Sequence, residues 1–115
     1  MESQLTLRRI RDQIRNVNRR LDKAGTDPRN SDRSLWGALA VVSFAGATGQ
    51  SEDVQTDPET VLGDLLADLM HWCDAQKSNR NLGGSIDFVS ALERARDHYS
   101  EECLEERESE PEESS

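Results

Sequence analysis

Residues 7–24 carry apolar side chains at alternating spacings of three and four residues, which is the repeat of one face of an α-helix. Almost all the residues between them are basic or amide, and six of them are arginines. The pattern predicts a basic amphipathic helix from about Ser3 to Lys23, ended by Gly25. Its apolar stripe consists of Leu7, Ile10, Ile14, Val17, Leu21 and Ala24.

This stripe covers about two and a half heptads, which is short of the three to four typical of a coiled coil. The helix could therefore fold back on its own domain, pair with a second copy in a homodimer, or lie in the groove of a protein partner. The arginines are spread around the helix with no aromatic residue among them for base stacking, which makes nucleic acid the weaker alternative. The candidate partner-binding residues are Ile10, Ile14, Val17, Arg11, Arg15 and Arg19.

Charge divides the chain into a basic start and an acidic remainder. The net charge is −9, but residues 1–35 carry nine Lys/Arg against five Asp/Glu, or +4, and residues 36–115 carry five against eighteen, or −13. An acidic body argues against wrapping duplex DNA, because cations must neutralise the phosphates. It is compatible with docking onto the basic, nucleic-acid-binding surface of another protein.

The hydropathy and cysteine patterns indicate a cytoplasmic protein. The longest apolar stretch, Leu35–Ala47, is 13 residues and too short to span a bilayer. No apolar run follows the charged N-terminus, so no signal peptide is expected. Cys73 and Cys103 lack metal-type spacing, and we expect reduced thiols.

Three further helices are predicted after the basic one. The second runs from Asp32 to Ala47 with Ser31 as N-cap, and the third from Asp57, a capping residue followed by a proline, to Gln76. The fourth runs from Ser85 to about Leu104. The residues after it are mostly Glu, Ser and Pro with nothing apolar to bury, so we expect them to be disordered.

These elements predict an all-α fold, a small bundle of three core helices with one helix before it and a tail after it. Residues 1–24 form the basic helix, 31–104 the core domain and 105–115 the acidic tail. Between Leu35 and Ala47 only Ser43 is polar, so the second helix should be buried all round. The side chains expected to be buried together are Leu39, Leu66, Trp72 and Leu92.

One set of residues could suggest metal chemistry. Asp64, Asp68 and His71 lie at i, i+4 and i+7 and share a helix face that could bind a divalent metal. The same pattern is typical of a solvated helix face, and no second ligand cluster lies nearby in sequence. Cys73, two residues after His71, points elsewhere on a helix. We assign no catalytic residue, metal ligand or cofactor, and predict a protein that is not an enzyme.

The third and fourth helices resemble a known group of proteins. The segment Asp57–Asp74 with its Leu69-Met70-His71-Trp72, the later Arg96-Asp97-His98-Tyr99, and Trp36 resemble small, largely uncharacterised bacterial proteins carried by plasmids, phages and integrative elements. The resemblance covers roughly residues 33–102. It implies an antiactivator that binds and masks a transcription factor. Together with the small size and acidity of the chain, it also implies an anti-CRISPR-like inhibitor of another nucleic-acid-handling protein.

A second resemblance is to the MazG-like all-α nucleotide pyrophosphohydrolases, through Leu62-Gly63-Asp64-Leu65-Leu66. Where that family has a glutamate three residues before the aspartate, this chain has Val61, and no acidic residue lies between Leu35 and Gly49. Magnesium-dependent hydrolysis needs several hard oxygen ligands. The resemblance therefore implies a shared fold, with a metal-dependent nucleotide hydrolase as the alternative function.

Overall fold

The computed structural model describes residues 6–24, 27–79 and 86–109, and these residues form five α-helices and no strand. The all-α prediction is confirmed for this part of the chain. The predicted starts at Ser3 and Ser85 are too early, since Thr6 and Ile86 are not helical. The helices are α1 (Leu7–Ala24), α2 (Asn30–Ala47), α3 (Asp53–Thr56), α4 (Pro58–Gln76) and α5 (Phe88–Ser109).

Aspartates that directly precede α4 and α5 cap these two helices. Asp57 accepts hydrogen bonds from the Thr60 N–H (3.4 Å) and hydroxyl (2.7 Å) at the start of α4, which confirms the predicted cap. Asp87 does the same for α5, accepting bonds from the Ser90 N–H (3.0 Å) and hydroxyl (3.1 Å). The bond from the Ser90 N–H lowers the pKa of Asp87.

The cap predicted at Ser31 is wrong, because α2 begins two residues before Asp32. The carboxylate of Asp32 accepts a hydrogen bond from the Arg29 N–H at 2.8 Å, and Arg29 occupies the N-cap position. A carboxylate in the first turn also interacts favourably with the helix dipole. The capping carboxylate is therefore that of Asp32 in the first turn, and Ser31 is itself part of the helix.

A turn with one left-handed residue ends α2. The Thr48 N–H donates to the Phe44 carbonyl (3.0 Å) and the Gln50 N–H to the Ala45 carbonyl (2.7 Å), while Gly49 has φ +74°. Glycine adopts this conformation without steric cost. The segment after it, which lies between the second and third predicted helices, contains the short helix α3.

The chain divides into two compact units, Met1–Leu66 and Ala67–Ser115, and the boundary falls inside α4. In the first unit, α1 packs on α2 and α2 packs on α3. Its buried cluster joins Ala45 of α2, Val54 of α3 and Val61 of α4. Val41, Val42 and Phe44 pack against this cluster.

The predicted core of Leu39, Leu66, Trp72 and Leu92 is wrong. Leu66, Trp72 and Leu92 are 39%, 50% and 41% exposed, and Leu39 is half-buried. The second predicted helix, now α2, is not buried all round either, since Trp36 is 39% exposed. The exposure of these side chains shows that they do not form one buried core.

The predicted boundary of the disordered tail is also wrong, because α5 continues through residues 105–109. Glutamate is a good helix former, so an established helix can extend into a Glu-rich segment without burying anything. The remaining tail residues, 110–115, lie outside the described residues.

Candidate functional site

The predicted partner-binding helix α1 has one face buried within its own unit. Ile10 is 1% exposed and Val17 is 7% exposed, Ile14 is half-buried, and α1 packs on α2. Of the three arrangements predicted for this stripe, the structure therefore favours the one in which α1 folds back on its own domain. Ile10 and Val17 contribute to folding in this arrangement.

The other predicted binding residues, Arg11, Arg15 and Arg19, are exposed. They follow one another at i+4 steps, and on a helix of 3.6 residues per turn such steps keep side chains in one line along the surface. Arg8 lies three residues before Arg11, and it lines the same surface depression as Arg11 and Arg15. We call Arg8, Arg11, Arg15 and Arg19 the arginine row.

Four of the six arginines of α1 belong to the row. The other two, Arg9 and Arg20, lie about 125° around the helix from the middle of the row. One of these, Arg20, forms an ion pair with Asp32, which anchors α1 to the start of α2. The spacing of the row can be read from the sequence, and the contact of α1 with α2 shows that the row lies on the face of α1 that stays exposed.

The row carries positive charge with little compensation. Arg15 pairs with Asp12 at 3.4 Å, and both side chains are more than half exposed. Among the described residues, no ion pair engages Arg8, Arg11 or Arg19. Like charges at i+4 each cost about 0.2–0.5 kcal/mol of helix stability, so the row opposes folding. A charge arrangement that costs stability is expected where an anionic ligand binds.

A cleft of about 730 Å³ lies beside the row in the first unit. It opens between the start of α1, the last turns of α2 and α3. Its walls are largely apolar, with Leu7, Val42 and Val54 among them, and Arg11 belongs both to the cleft and to the row. Ligand clefts commonly combine an apolar lining with a few polar groups that fix orientation. No sequence pattern indicated this cleft, because it depends on the turn after α2.

The alternative metal site is not assembled in the structure. Asp64, Asp68 and His71 are exposed on α4, and Asp64 accepts a hydrogen bond from Gln50 Nε2 at 2.8 Å. Within residues 6–24, 27–79 and 86–109, no three His, Cys, Asp or Glu side chains are grouped so that they could hold a metal ion. Both cysteines are free thiols, with Cys73 buried and Cys103 half-buried.

In the described part of the chain, no helix combines the length and hydropathy needed to cross a membrane. Comparison of the chain with protein-family models, curated proteins and solved structures finds no match. The resemblance to proteins of mobile elements and the weaker one to MazG-like enzymes therefore stay predictions. The arginine row and the apolar cleft beside it form the candidate site.

Proposed function

We propose that this chain is a non-enzymatic regulator that binds another protein and masks part of its surface. The observation that carries the proposal is the arginine row running past an apolar cleft. Guanidinium groups bind carboxylates through paired hydrogen bonds, and the cleft can take an apolar side chain. The expected target is an acidic segment of a partner protein that carries one apolar anchor residue.

The partner class follows from the resemblance and not from the site. A transcription factor or another nucleic-acid-handling protein, encountered by a mobile genetic element, fits the antiactivator and anti-CRISPR-like functions that the resemblance implies. Masking in this sense requires only that the bound regulator occupy a surface that the partner needs. No reaction is required of the regulator.

A charge-reversal experiment tests the site. The probe is a fluorescently labelled peptide with a single leucine flanked by glutamates, measured by fluorescence polarisation. We expect the double variant Arg11→Glu/Arg15→Glu to bind at least tenfold more weakly than the wild type. The matched control Arg9→Glu/Lys23→Glu changes the charge of the same helix equally but off the row, and should change affinity less than twofold. Equal losses in both variants would mean that net charge alone attracts the peptide.

The same variants can identify the partner protein in native cells. Crosslinked capture followed by mass spectrometry should recover a protein with the wild type and with the control, but not with Arg11→Glu/Arg15→Glu. Reconstitution of the captured protein with the purified chain then shows whether its activity is blocked. Binding that leaves the partner fully active would contradict masking.

A second candidate function is nucleic-acid binding, because the arginine row could also contact phosphates. The net charge of −9 opposes it, since the rest of the chain repels a polyanion. Binding of labelled duplex DNA across a salt series separates the two functions. Affinity that falls steeply with salt and disappears in Arg11→Glu/Arg15→Glu would favour the nucleic-acid function.

The hydrolase alternative has its own test. Purified protein with Mg²⁺ and nucleoside triphosphates should release no product above background. Turnover that is lost in Asp64→Ala would overturn the non-enzymatic proposal.

A further inference from the structure

One face of α5 has the chemistry that the candidate site is expected to bind. Four exposed acidic residues fall within an arc of about 80° on this face, at 100° per residue. We call them the acidic row: Asp97, Glu101, Glu105 and Glu108. Leu104, which is 52% exposed, lies at the edge of the same face. The face therefore combines carboxylates with one apolar side chain, as expected of the target in the proposed function.

The acidic row has the spacing of the arginine row when its residues are counted in the reverse direction. The arginines, from the first to the last, are three, four and four residues apart, and the acidic residues, from the last back to the first, are also three, four and four apart. Two antiparallel helices can therefore set all four opposite charges level with one another. The level pairs are Arg8 with Glu108, Arg11 with Glu105, Arg15 with Glu101 and Arg19 with Asp97.

The match continues at a fifth level, where the signs are exchanged. Asp22 follows the arginine row after three residues, and Arg94 precedes the acidic row by three residues; both are exposed and lie on the faces of their rows. The antiparallel alignment sets Asp22 level with Arg94, so opposite charges meet at five levels over about 21 Å of helix. A parallel alignment sets at most three of the four arginines level with the acidic row. That alignment also sets Glu108 level with Asp22, and like charges disfavour it.

The antiparallel alignment also brings Leu104 to the apolar cleft. Leu104 comes level with Asp12, whose carboxylate pairs with Arg15. The neighbouring Arg11 belongs to both the arginine row and the cleft. Leu104 and Arg11 are each displaced by about 50° in the same rotational sense from the centres of their rows, which places them on the same side of facing antiparallel helices. Leu7 of the cleft lies on that side as well. An apolar side chain that leaves water at this point stabilises the contact.

We propose that the acidic row and Leu104 of a second copy of this chain bind the arginine row and the cleft, with the two helices antiparallel. Both surfaces are exposed, and each lies within one unit, so contact between copies requires no particular arrangement of the units. Like charges four residues apart destabilise each helix alone, and opposite charges from a second copy relieve this effect.

The contact regulates the candidate site, since a site occupied by a second copy is closed to the partner protein. This regulatory effect rests on the proposed function. The association of copies does not, because it needs only the two rows and the cleft.

Sedimentation velocity on the full chain tests the association. We expect the wild type to self-associate, and Arg11→Glu/Arg15→Glu and Glu101→Arg/Glu105→Arg each to sediment as monomers, because each lacks one of the two surfaces. An equimolar mixture of the two variants should associate, since the first keeps the acidic row and the second keeps the arginine row. Restored association would also show that both variants are folded. A monomeric wild type, or a mixture that stays monomeric, overturns the proposal.

Net charge cannot account for this result. Each substitution in Glu101→Arg/Glu105→Arg changes the charge by two, so the net charge becomes −5 instead of −9 and the general repulsion between copies falls. The control Glu102→Arg/Glu106→Arg has the same net charge but changes α5 off the acidic row. It should self-associate at least as strongly as the wild type. Equal association of the two variants overturns the proposal.

A single substitution tests the direction of the helices. Asp22→Arg makes α1 more basic, so general attraction to an acidic face, or the parallel alignment, predicts stronger self-association. The antiparallel alignment predicts weaker self-association, because the new arginine meets Arg94. Asp22→Arg/Arg94→Asp should restore the wild-type level. Stronger association of Asp22→Arg overturns the antiparallel contact.

The labelled glutamate–leucine peptide tests the regulation. At a concentration where about two thirds of the sites hold a second copy, the wild type should bind the peptide about threefold more weakly than Glu101→Arg/Glu105→Arg, since apparent affinity falls with the fraction of free sites. The control Glu102→Arg/Glu106→Arg should bind like the wild type. Equal binding by all three proteins overturns the regulation while the proposed function stands. Absence of binding by all three overturns the proposed function and the regulation together, and sedimentation then decides the association of copies separately.

Discussion

At the scale of single residues, Asp32 links two helices of the first unit. Its carboxylate accepts the Arg29 N–H at 2.8 Å, forms an ion pair with Arg20 of α1, and is almost completely buried. A buried carboxylate is costly unless it is paired and hydrogen-bonded. Here both conditions are met, so one side chain caps α2 and holds α1 in place.

We predict that Asp32→Asn lowers the free energy of unfolding by about 1–3 kcal/mol, the range for losing a cap and a charge-assisted hydrogen bond. Urea denaturation followed by circular dichroism measures the change. Asp27→Asn, at an exposed aspartate outside the helices, is the matched control and should change the stability by less than about 0.5 kcal/mol. Equal effects would show that Asp32 contributes only its charge.

The same residue predicts a pH dependence. The Arg29 N–H lowers the pKa of Asp32, as do the hydrogen bond and charge of Arg20, against the opposing effect of burial. A carboxyl whose pKa is depressed by folding stabilises the protein above its unfolded pKa of about 3.9 and loses that contribution as the pH falls through the folded value. The stability gap between wild type and Asp32→Asn should therefore be constant above about pH 5 and shrink below pH 4. A gap that widens in acid would contradict this assignment.

Val61 provides a second residue-scale prediction, because it is fully buried in the cluster with Ala45 and Val54. Val61→Ala should cost about 2 kcal/mol through lost burial and the cavity left behind. Leu104→Ala, at a side chain that is 52% exposed, should cost little. Thermal denaturation of both variants tests the contrast. If they lose equal stability, the core of the first unit lies elsewhere.

At the scale of helices, the sequence predicted most of the secondary structure. Periodicity located the four long helices, and the Asp57-Pro58 signal located the start of α4 correctly. The arrangement of helices could not be predicted in the same way, because an amphipathic stripe shows that a face is covered but not by what. The stripe of α1 and the apolar residues of α4 look alike in sequence, yet α1 buries Ile10 and Val17, whereas Leu66, Leu69 and Trp72 of α4 are 39–50% exposed.

For α1 we predict that Ile14→Asp destabilises the first unit by about 2 kcal/mol or more, because it places a carboxylate at a half-buried position within the apolar stripe. Asn16→Asp adds the same charge on the exposed side and should have little effect. Urea denaturation gives the stabilities and sedimentation velocity gives the association state. If Ile14→Asp abolishes self-association without changing the stability, the α1 stripe is an intermolecular surface after all.

At the scale of the whole molecule, the two units differ in what stabilises them. The first has a buried cluster, an α1–α2 contact and the Asp32 ion pair, all within the unit. The second has amphipathic helices and exposed apolar faces. The candidate site combines a part that the sequence predicts with a part that only the fold creates. The arginines could be read from the sequence, whereas the cleft beside them exists only because α3 follows the turn at Gly49.

This difference predicts that the two units open to different degrees in solution. Amide hydrogen exchange followed by mass spectrometry should show strong protection in α2 around Ala45, which is fully buried, and weaker protection in α5 around Ala95, which is exposed. Val61→Ala removes a buried side chain from the first unit, so it should speed exchange around Ala45, while Leu104→Ala should leave exchange there unchanged. Protection in α5 that equals the protection in α2 would mean that the two units are equally stabilised.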